Sequence, residues 1–164
     1  MSDTLPGIRA VLEASGLAFE VWPCDPELAD TAVFCERYGV SAAHSANTIV
    51  VRSKTGDLKY AACVVLATHR LDVNNVVRKK LGARKVSFAD AEETRQMTGM
   101  EIGGVTALGL PDDLPLWVDG QVMRRDYVIL GGGNRSSKLK VDPGIFARVA
   151  NVEVVEGLAR PAPA

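Results

Sequence analysis

The sequence predicts a mixed α/β domain in which a strongly curved sheet is surrounded by helices. Three observations predict it. Apolar residues recur at helical spacing in some segments and alternate, or run unbroken, in others. These segments follow one another with no internal repeat and no low-complexity linker. The 15 glycines and 8 prolines punctuate the chain at short intervals, as the turns of one compact unit require. At 164 residues the chain suits a single domain whose core needs no disulfide or metal.

From the N-terminus, Pro6 to Ala14 reads as a helix. Pro6 suits its first turn, Ile8, Val11 and Leu12 share a face, and Gly16 ends it. Phe19-Glu20-Val21-Trp22 alternates and is a short strand ended by Pro23. Asp30 is placed to cap a second helix, with Val33, Phe34 and Tyr38 inward and Gly39 as the stop. Asn47 to Arg52 and Tyr60 to Leu66 are two strands joined across a Lys54-Thr55-Gly56-Asp57 turn, the second apolar enough to be central. Asp72 caps an expected helix over Val73 to Leu81, stopped by Gly82, and a further helix covers roughly Ala89 to Met97. In the glycine-rich second half, Leu116 to Asp119 before a Gly120 turn, Tyr127 to Leu130 and Leu139 to Val141 read as strands. Asp142-Pro143 opens a last helix through Phe146 and Val149. The domain is expected to span 1–158, with a frayed tail over 159–164.

Composition excludes several classes. A net charge of −1 gives no global field to attract nucleic acid, so any such contact runs through a local patch. Two basic clusters stand out, Lys79-Lys80 with Arg84 and Lys85, and Arg124-Arg125 with Arg135, Lys138 and Lys140. Such runs are more often solvated faces. Cys24, Cys35 and Cys63 form no CxxC pair, and their odd number argues for a reducing cytoplasm. The segment from Met1 to Pro6 lacks the features of a signal peptide, and no apolar run is long enough to span a bilayer.

Three segments are candidates for chemistry. Gly103-Gly104-Val105-Thr106-Ala107 can bring backbone N–H groups close to a carbonyl or anion, although a tight bend is the commoner reading of such a pair. Gly131-Gly132-Gly133-Asn134-Arg135-Ser136 follows a strand. It lacks the Gly-Lys-Ser/Thr ending of a phosphate loop and the GxGxxG spacing of a dinucleotide fingerprint, so it is either a binding loop or a flexible bulge. Asn47-Thr48 opens a buried strand and can point into a cavity or simply satisfy the strand end. His44 and His69 have no metal-ligand partner at helical spacing. His69 is a pocket donor or, more commonly, a solvated loop residue. Cys63 lies in an apolar strand and reads as core.

The order of these features is more specific than any one of them. Asn47-Thr48-Ile49-Val50-Val51-Arg52, Arg70-Leu71-Asp72, Thr98-Gly99, Ile102-Gly103-Gly104-Val105, the turn from Pro111 to Pro115, Val118-Asp119 and the Gly131-Gly132-Gly133 loop succeed one another in a chain that resembles the YbaK/EbsC family. That family includes the editing domain inserted in many bacterial prolyl-tRNA synthetases. The resemblance reaches from the first helix to about Val154. It implies a largely antiparallel, barrel-like sheet and hydrolysis of the ester joining a wrong small amino acid, such as Cys, Ala, Ser or Thr, to tRNA. The implied partners are an aminoacylated tRNA acceptor end and an aminoacyl-tRNA synthetase. The implied protein is a monomer or homodimer without metal, organic cofactor or membrane.

On this resemblance Gly103, Gly104 and Asn47 are the catalytic candidates, the glycines as oxyanion donors. Thr48, His69, Arg70, Asp72, Val105, Thr106, Ala107, Gly131, Gly132, Gly133, Asn134 and Ser136 are the candidates for substrate binding. Two departures bear on activity. Asn47 stands where the family has a site lysine, with Arg52, Lys54 and Lys59 as neighbouring candidates to replace its charge. Ala107 stands where the family's Gly-Gly-x-x-Pro motif has proline. An active deacylase with an altered pocket and a non-catalytic binder of a tRNA end or an aminoacyl-like ligand are both compatible with this pattern.

Overall fold

The computed structural model describes residues 3–163. Met1 and Ser2, within the segment read as lacking a signal, and Ala164, the end of the expected tail, lie outside them. Along the chain run α1 (Pro6–Ala14), β1 (Phe19–Pro23), α2 (Thr31–Tyr38), β2 (Ala46–Ser53), β3 (Tyr60–Leu66), β4 (His69–Leu71), α3 (Arg78–Leu81) and β5 (Val86–Phe88). They are followed by α4 (Ala91–Thr98), β6 (Leu116–Asp119), α5 (Gly120–Met123), β7 (Val128–Gly131), β8 (Ser137–Val141), β9 (Val152–Val155) and β10 (Ala159–Pro161).

The strands form a mixed five-stranded sheet in the order β5-β2-β3-β6-β9, an antiparallel three-stranded sheet β1-β8-β7 and a pair β10-β4. β2 runs antiparallel to β3 and β5, whereas β3, β6 and β9 are mutually parallel. A single parallel bridge, Ser45 to Ile129, links the start of β2 to β7. The architecture is mixed α/β, as expected, but among the described residues no closed barrel is found. β5 and β9 remain as edges of the larger sheet.

β3 is central, as its unbroken apolar run implies. Side chains alternate across a strand, so its two faces serve two cores. Ala62, Val64 and Leu66 pack with Ile8, Leu12, Leu130, Leu139 and Phe146. Ala61, Cys63 and Val65 pack with Leu71, Val77, Leu81, Trp117 and Leu158 on the other side. A third, small cluster of Cys24, Ala29, Phe34 and Ile129 lies under α2.

Local chemistry explains where several elements end. α4 starts in a capping box between Asp90 and Glu93, and α2 stops at Gly39, whose φ of +69° is in the left-handed region. Other expectations are corrected. Asp30 makes no cap bond because its carboxylate is engaged by Arg135, and Asp72 pairs with Arg160 instead of capping. The helix expected over Val73 to Leu81 is a π-helical turn, Val73–Val77, that tightens into α3. The helix expected after Asp142 is the 3-10 segment Pro143–Arg148, capped by Asp142 through the Gly144 N–H. Gly120 opens α5 and not a turn. The tail expected to fray from 159 is tied down: Ala159–Pro161 pairs antiparallel with His69–Leu71, next to the fully buried Leu158. No helix among the described residues is long and apolar enough to cross a membrane.

Candidate functional site

A cavity of about 330 Å³ opens where β2 begins, β7 ends and the 102–105 loop passes in front of α2. Asn47, Thr48 and Ile49 line it from β2, Gly103 and Val105 from the loop, Leu130 and Gly131 from β7, and Lys138 from β8. Asp30 and Thr31 close it from the start of α2.

The two glycine stretches meet backbone to backbone. The Gly133 N–H donates to the Gly104 carbonyl at 2.6 Å, and the Glu101 N–H donates to the Gly133 carbonyl at 3.1 Å. This approach leaves no room for side chains. A Cβ on Gly104 would collide with the Asn134 carbonyl, and one on Gly131 would stand 2.5 Å from the Gly104 carbonyl oxygen. Gly103 has a φ of +88°, and a Cβ there would strike the Arg135 guanidinium. That guanidinium staples the loop. Its Nε donates to the Pro26 carbonyl at 2.9 Å, and one terminal nitrogen donates to the Ile102 carbonyl at 2.8 Å and to Asp30 Oδ1 at 3.1 Å.

Polar groups face the cavity from several sides. Asn47 Oδ1 accepts from Thr31 Oγ1 at 2.6 Å, which fixes the amide and leaves its NH₂ group unspent. Thr48 Oγ1 is buried without a hydrogen-bond partner. Lys138 is only 5% exposed, and its Nζ donates to the Ala29 carbonyl at 2.6 Å and the Gly103 carbonyl at 3.1 Å. The same ammonium lies 5.2 Å from the centroid of the Phe34 ring. Burial holds the Lys138 pKa below the usual lysine value, with the Arg135 charge adding to that effect and Asp30 opposing it.

The sequence-derived candidates separate into three groups. Asn47, Thr48, Gly103, Val105 and Gly131 line the cavity. Gly104, Gly132, Gly133, Asn134 and Ser136 stand behind it and hold the loops. Asn134 Oδ1 accepts from the Ser136 N–H at 3.1 Å and from Ser137 Oγ at 2.8 Å. The Gly104 N–H donates to the Glu101 carbonyl at 2.9 Å and so is not the free oxyanion donor expected of it. Thr106 and Ala107 are wholly buried and line no cavity wall. His69, Arg70 and Asp72 lie elsewhere. His69 Nδ1 is 3.0 Å from Thr68 Oγ1, while Arg70 and Asp72 border an open groove beside Arg160. The neighbours named as replacements for the family lysine are also elsewhere: Arg52 pairs with Glu93, Lys54 borders a separate hollow beside Arg52 and Asp90, and Lys59 donates to the Leu81 carbonyl at 3.2 Å.

Lys138, Arg135 and Thr31 escaped the sequence reading as site residues. For Lys138 a signal existed. It alternates with Leu139 and Val141 in a strand, which puts it on the opposite face, just after a glycine loop. Cys63 is inert, since burial pushes its thiol up to about 12. Among the described residues no group of His, Cys, Asp and Glu is arranged to hold a metal ion.

Fold and site together define a small α/β domain built around one compact pocket, with two glycine loops locked together as its wall. The chain belongs to the aminoacyl-tRNA editing domain family, whose model matches residues 25–148. The crystal structure of the hypothetical protein APE2540 is similar over 94% of this chain and 99% of its own, with a TM-score of 0.81 and 25% identity. That of a proposed trans-editing enzyme for prolyl-tRNA synthetase covers 93% of this chain and 96% of its own, with a TM-score of 0.75 and 21% identity, a likeness of fold. A proposed signal transduction protein from Marinobacter aquaeolei VT8 carries the same fold in 30% of its length, at a TM-score of 0.57 and 18% identity.

Proposed function

We propose that the protein is a trans-editing aminoacyl-tRNA deacylase that removes a small amino acid, of the class of Cys, Ala, Ser or Thr, from a mischarged tRNA. The observation that carries this reading is the cavity bounded by Asn47, Gly103, Val105, Gly131 and Lys138. Its volume of about 330 Å³ is at the small end of ligand pockets, and it combines apolar walls with a few convergent polar groups.

An aminoacyl ester is already activated, so the site needs chiefly to orient and to polarise it. The amide of Asn47 donates to the ribose or the ester. The Gly103 N–H, which makes no hydrogen bond with the described residues, is left to donate to the carbonyl oxygen. A water held against the ester adds to the carbonyl carbon. The tetrahedral intermediate then collapses, the ribose oxygen leaves and takes a proton, and free amino acid and tRNA result. Val105 and Ile49 set the size of the accepted side chain, where one methylene is worth about 1–3 kcal/mol. With little global charge to draw in a whole tRNA, recognition centres on the acceptor end.

The neutral Asn47 favours a second reading, in which the pocket binds an aminoacyl end without cleaving it. A panel of tRNAs mischarged with Cys, Ala, Ser and Thr separates the two. Ester loss above the protein-free rate is expected for at least one. A flat result over the panel, with the tRNA end still bound, refutes the deacylase.

A further inference from the structure

Lys138 is a cation without a counter-charge. It sits in the middle strand of the β1-β8-β7 sheet, in register with Gly131 on one side and Trp22 on the other, so its backbone is held from both edges. Its side chain leaves the face opposite Leu139 and runs under α2, where Phe34 covers it. No ion pair holds its Nζ among the described residues: the titratable groups around it are the thiols of Cys24 and Cys35, the Arg135 guanidinium and the Asp30 carboxylate, and that carboxylate is taken by Arg135. Burying an ammonium against carbonyl dipoles alone is costly, and a protein that retains one at a cavity wall has reserved positive charge for something that enters. Two of the three N–H donors of Nζ go to the Ala29 and Gly103 carbonyls, and the third is unspent.

We infer that Lys138 supplies the cationic donor of the pocket, its third N–H meeting the carbonyl oxygen of the bound aminoacyl group as that oxygen gains negative charge. The choice of the carbonyl over a phosphate follows from depth. A residue 5% exposed, bonded to the carbonyl of the loop that walls the cavity, reaches what is inserted and not the solvated backbone of the tRNA. By holding the Gly103 carbonyl, Lys138 fixes Gly103 from its C-terminal side, while Arg135 holds the Ile102 carbonyl of the peptide that carries the Gly103 N–H. No proton need pass through it, since an ammonium stabilises the oxyanion by charge and hydrogen bond and is unchanged at the end of the cycle.

This inference rests on the deacylase reading, and the test separates the two. Wild type, Lys138→Met and Lys138→Arg are compared on whichever mischarged tRNA the wild type hydrolyses. Lys138→Met is expected to lose about 10²–10³-fold in kcat, the cost of one oxyanion donor, with KM within about threefold of wild type. Lys138→Arg retains part of the rate, because the charge persists. After subtraction of hydroxide-driven hydrolysis, the wild-type rate falls as pH rises through the titration of Lys138, and this limb is missing in Lys138→Met. An unchanged kcat in Lys138→Met overturns the inference, as does a raised KM at wild-type kcat, the signature of a phosphate anchor. Should the Met variant fail to fold, the Arg variant and the pH limb decide. A second readout needs no turnover. The ¹³Cε resonance of Lys138 is followed as an amide-linked, non-hydrolysable alanyl-adenosine is added. A shift with no hydrolysis of any ester keeps the cationic donor and refutes the deacylase. An unmoved resonance while the analogue binds overturns the inference.

Discussion

Adding one methyl group at Gly131 should cost the protein both stability and the shape of its cavity. A Cβ there stands 2.5 Å from the Gly104 carbonyl oxygen, 2.7 Å from the Gly104 carbonyl carbon and 2.8 Å from the Val105 carbonyl oxygen. All three are backbone atoms, so no rotamer change relieves the contact. To reach ordinary van der Waals distance the 103–105 loop must retreat by about 0.9 Å. The loop resists, because Arg135 staples the Ile102 carbonyl and the Gly133 N–H holds the Gly104 carbonyl. Overpacking of this kind costs about 1–3 kcal/mol. In a chain of this size each kcal/mol lowers the melting temperature by about 2–4 °C, so a fall of about 2–12 °C is expected for Gly131→Ala. A displacement approaching 1 Å at a catalytic wall can also remove about 10²-fold in rate. Thermal unfolding and deacylation on the same preparations measure both. Gly7→Ala is the control, since nothing lies within 4 Å of its Cβ and it sits in the first turn of α1, where the change is neutral or raises the melting temperature slightly. A Gly131→Ala protein that melts and hydrolyses as wild type would refute the described contact between the two glycine loops.

Other tests probe the pocket wall and the surface. Val105→Ala enlarges the cavity, so the ratio of kcat/KM for a larger over a smaller aminoacyl ester should rise by about 10–200-fold, and an unchanged ratio moves the size filter away from Val105. Glu93 accepts hydrogen bonds from Tyr60 and Arg52, and the Tyr60 hydroxyl, as the leading cause, holds its pKa below the ordinary glutamate range. A depressed carboxylate pKa contributes stability that is present above the unfolded-state value and is lost as pH falls through the folded-state value. The stability gap between wild type and Glu93→Gln should therefore be open at pH 7 and close on acidification, and a gap that widens in acid would contradict the pairing.

Much of the frame was legible because local signals agreed with the fold. Proline at the start of α1, the glycine stop of α2 and the double-sided apolar run of β3 each act within a few residues. The features that were not legible depend on distant partners. Asp30 and Asp72 look like caps in sequence, yet each is drawn to an arginine more than 80 residues away along the chain. The short strands β4, β5, β9 and β10 have three or four residues each, too few for a period, and exist through pairing. In the site, the glycine stretches were readable as such, but which of their amides are free was not. The Gly104 N–H is consumed inside its own turn. Lys138 was grouped with its basic neighbours because charge in sequence suggests solvent, and only the packing of α2 over β8 puts it under Phe34. His69, Arg70 and Asp72 form a coherent sequence motif whose place is the β4-β10 edge, away from the cavity.

That edge gives the end of the chain a mechanical part. The hydrophobic layer behind Trp117 is sealed by Leu158, and the three residues after it clasp β4, which has no other partner strand among the described residues. A shortened version ending at residue 158 would uncover that layer and leave the His69–Leu71 segment without a hydrogen-bonded neighbour, inviting another copy to pair there. Tags and fusions at this terminus are safest when they begin beyond Pro161 and leave the clasp shut.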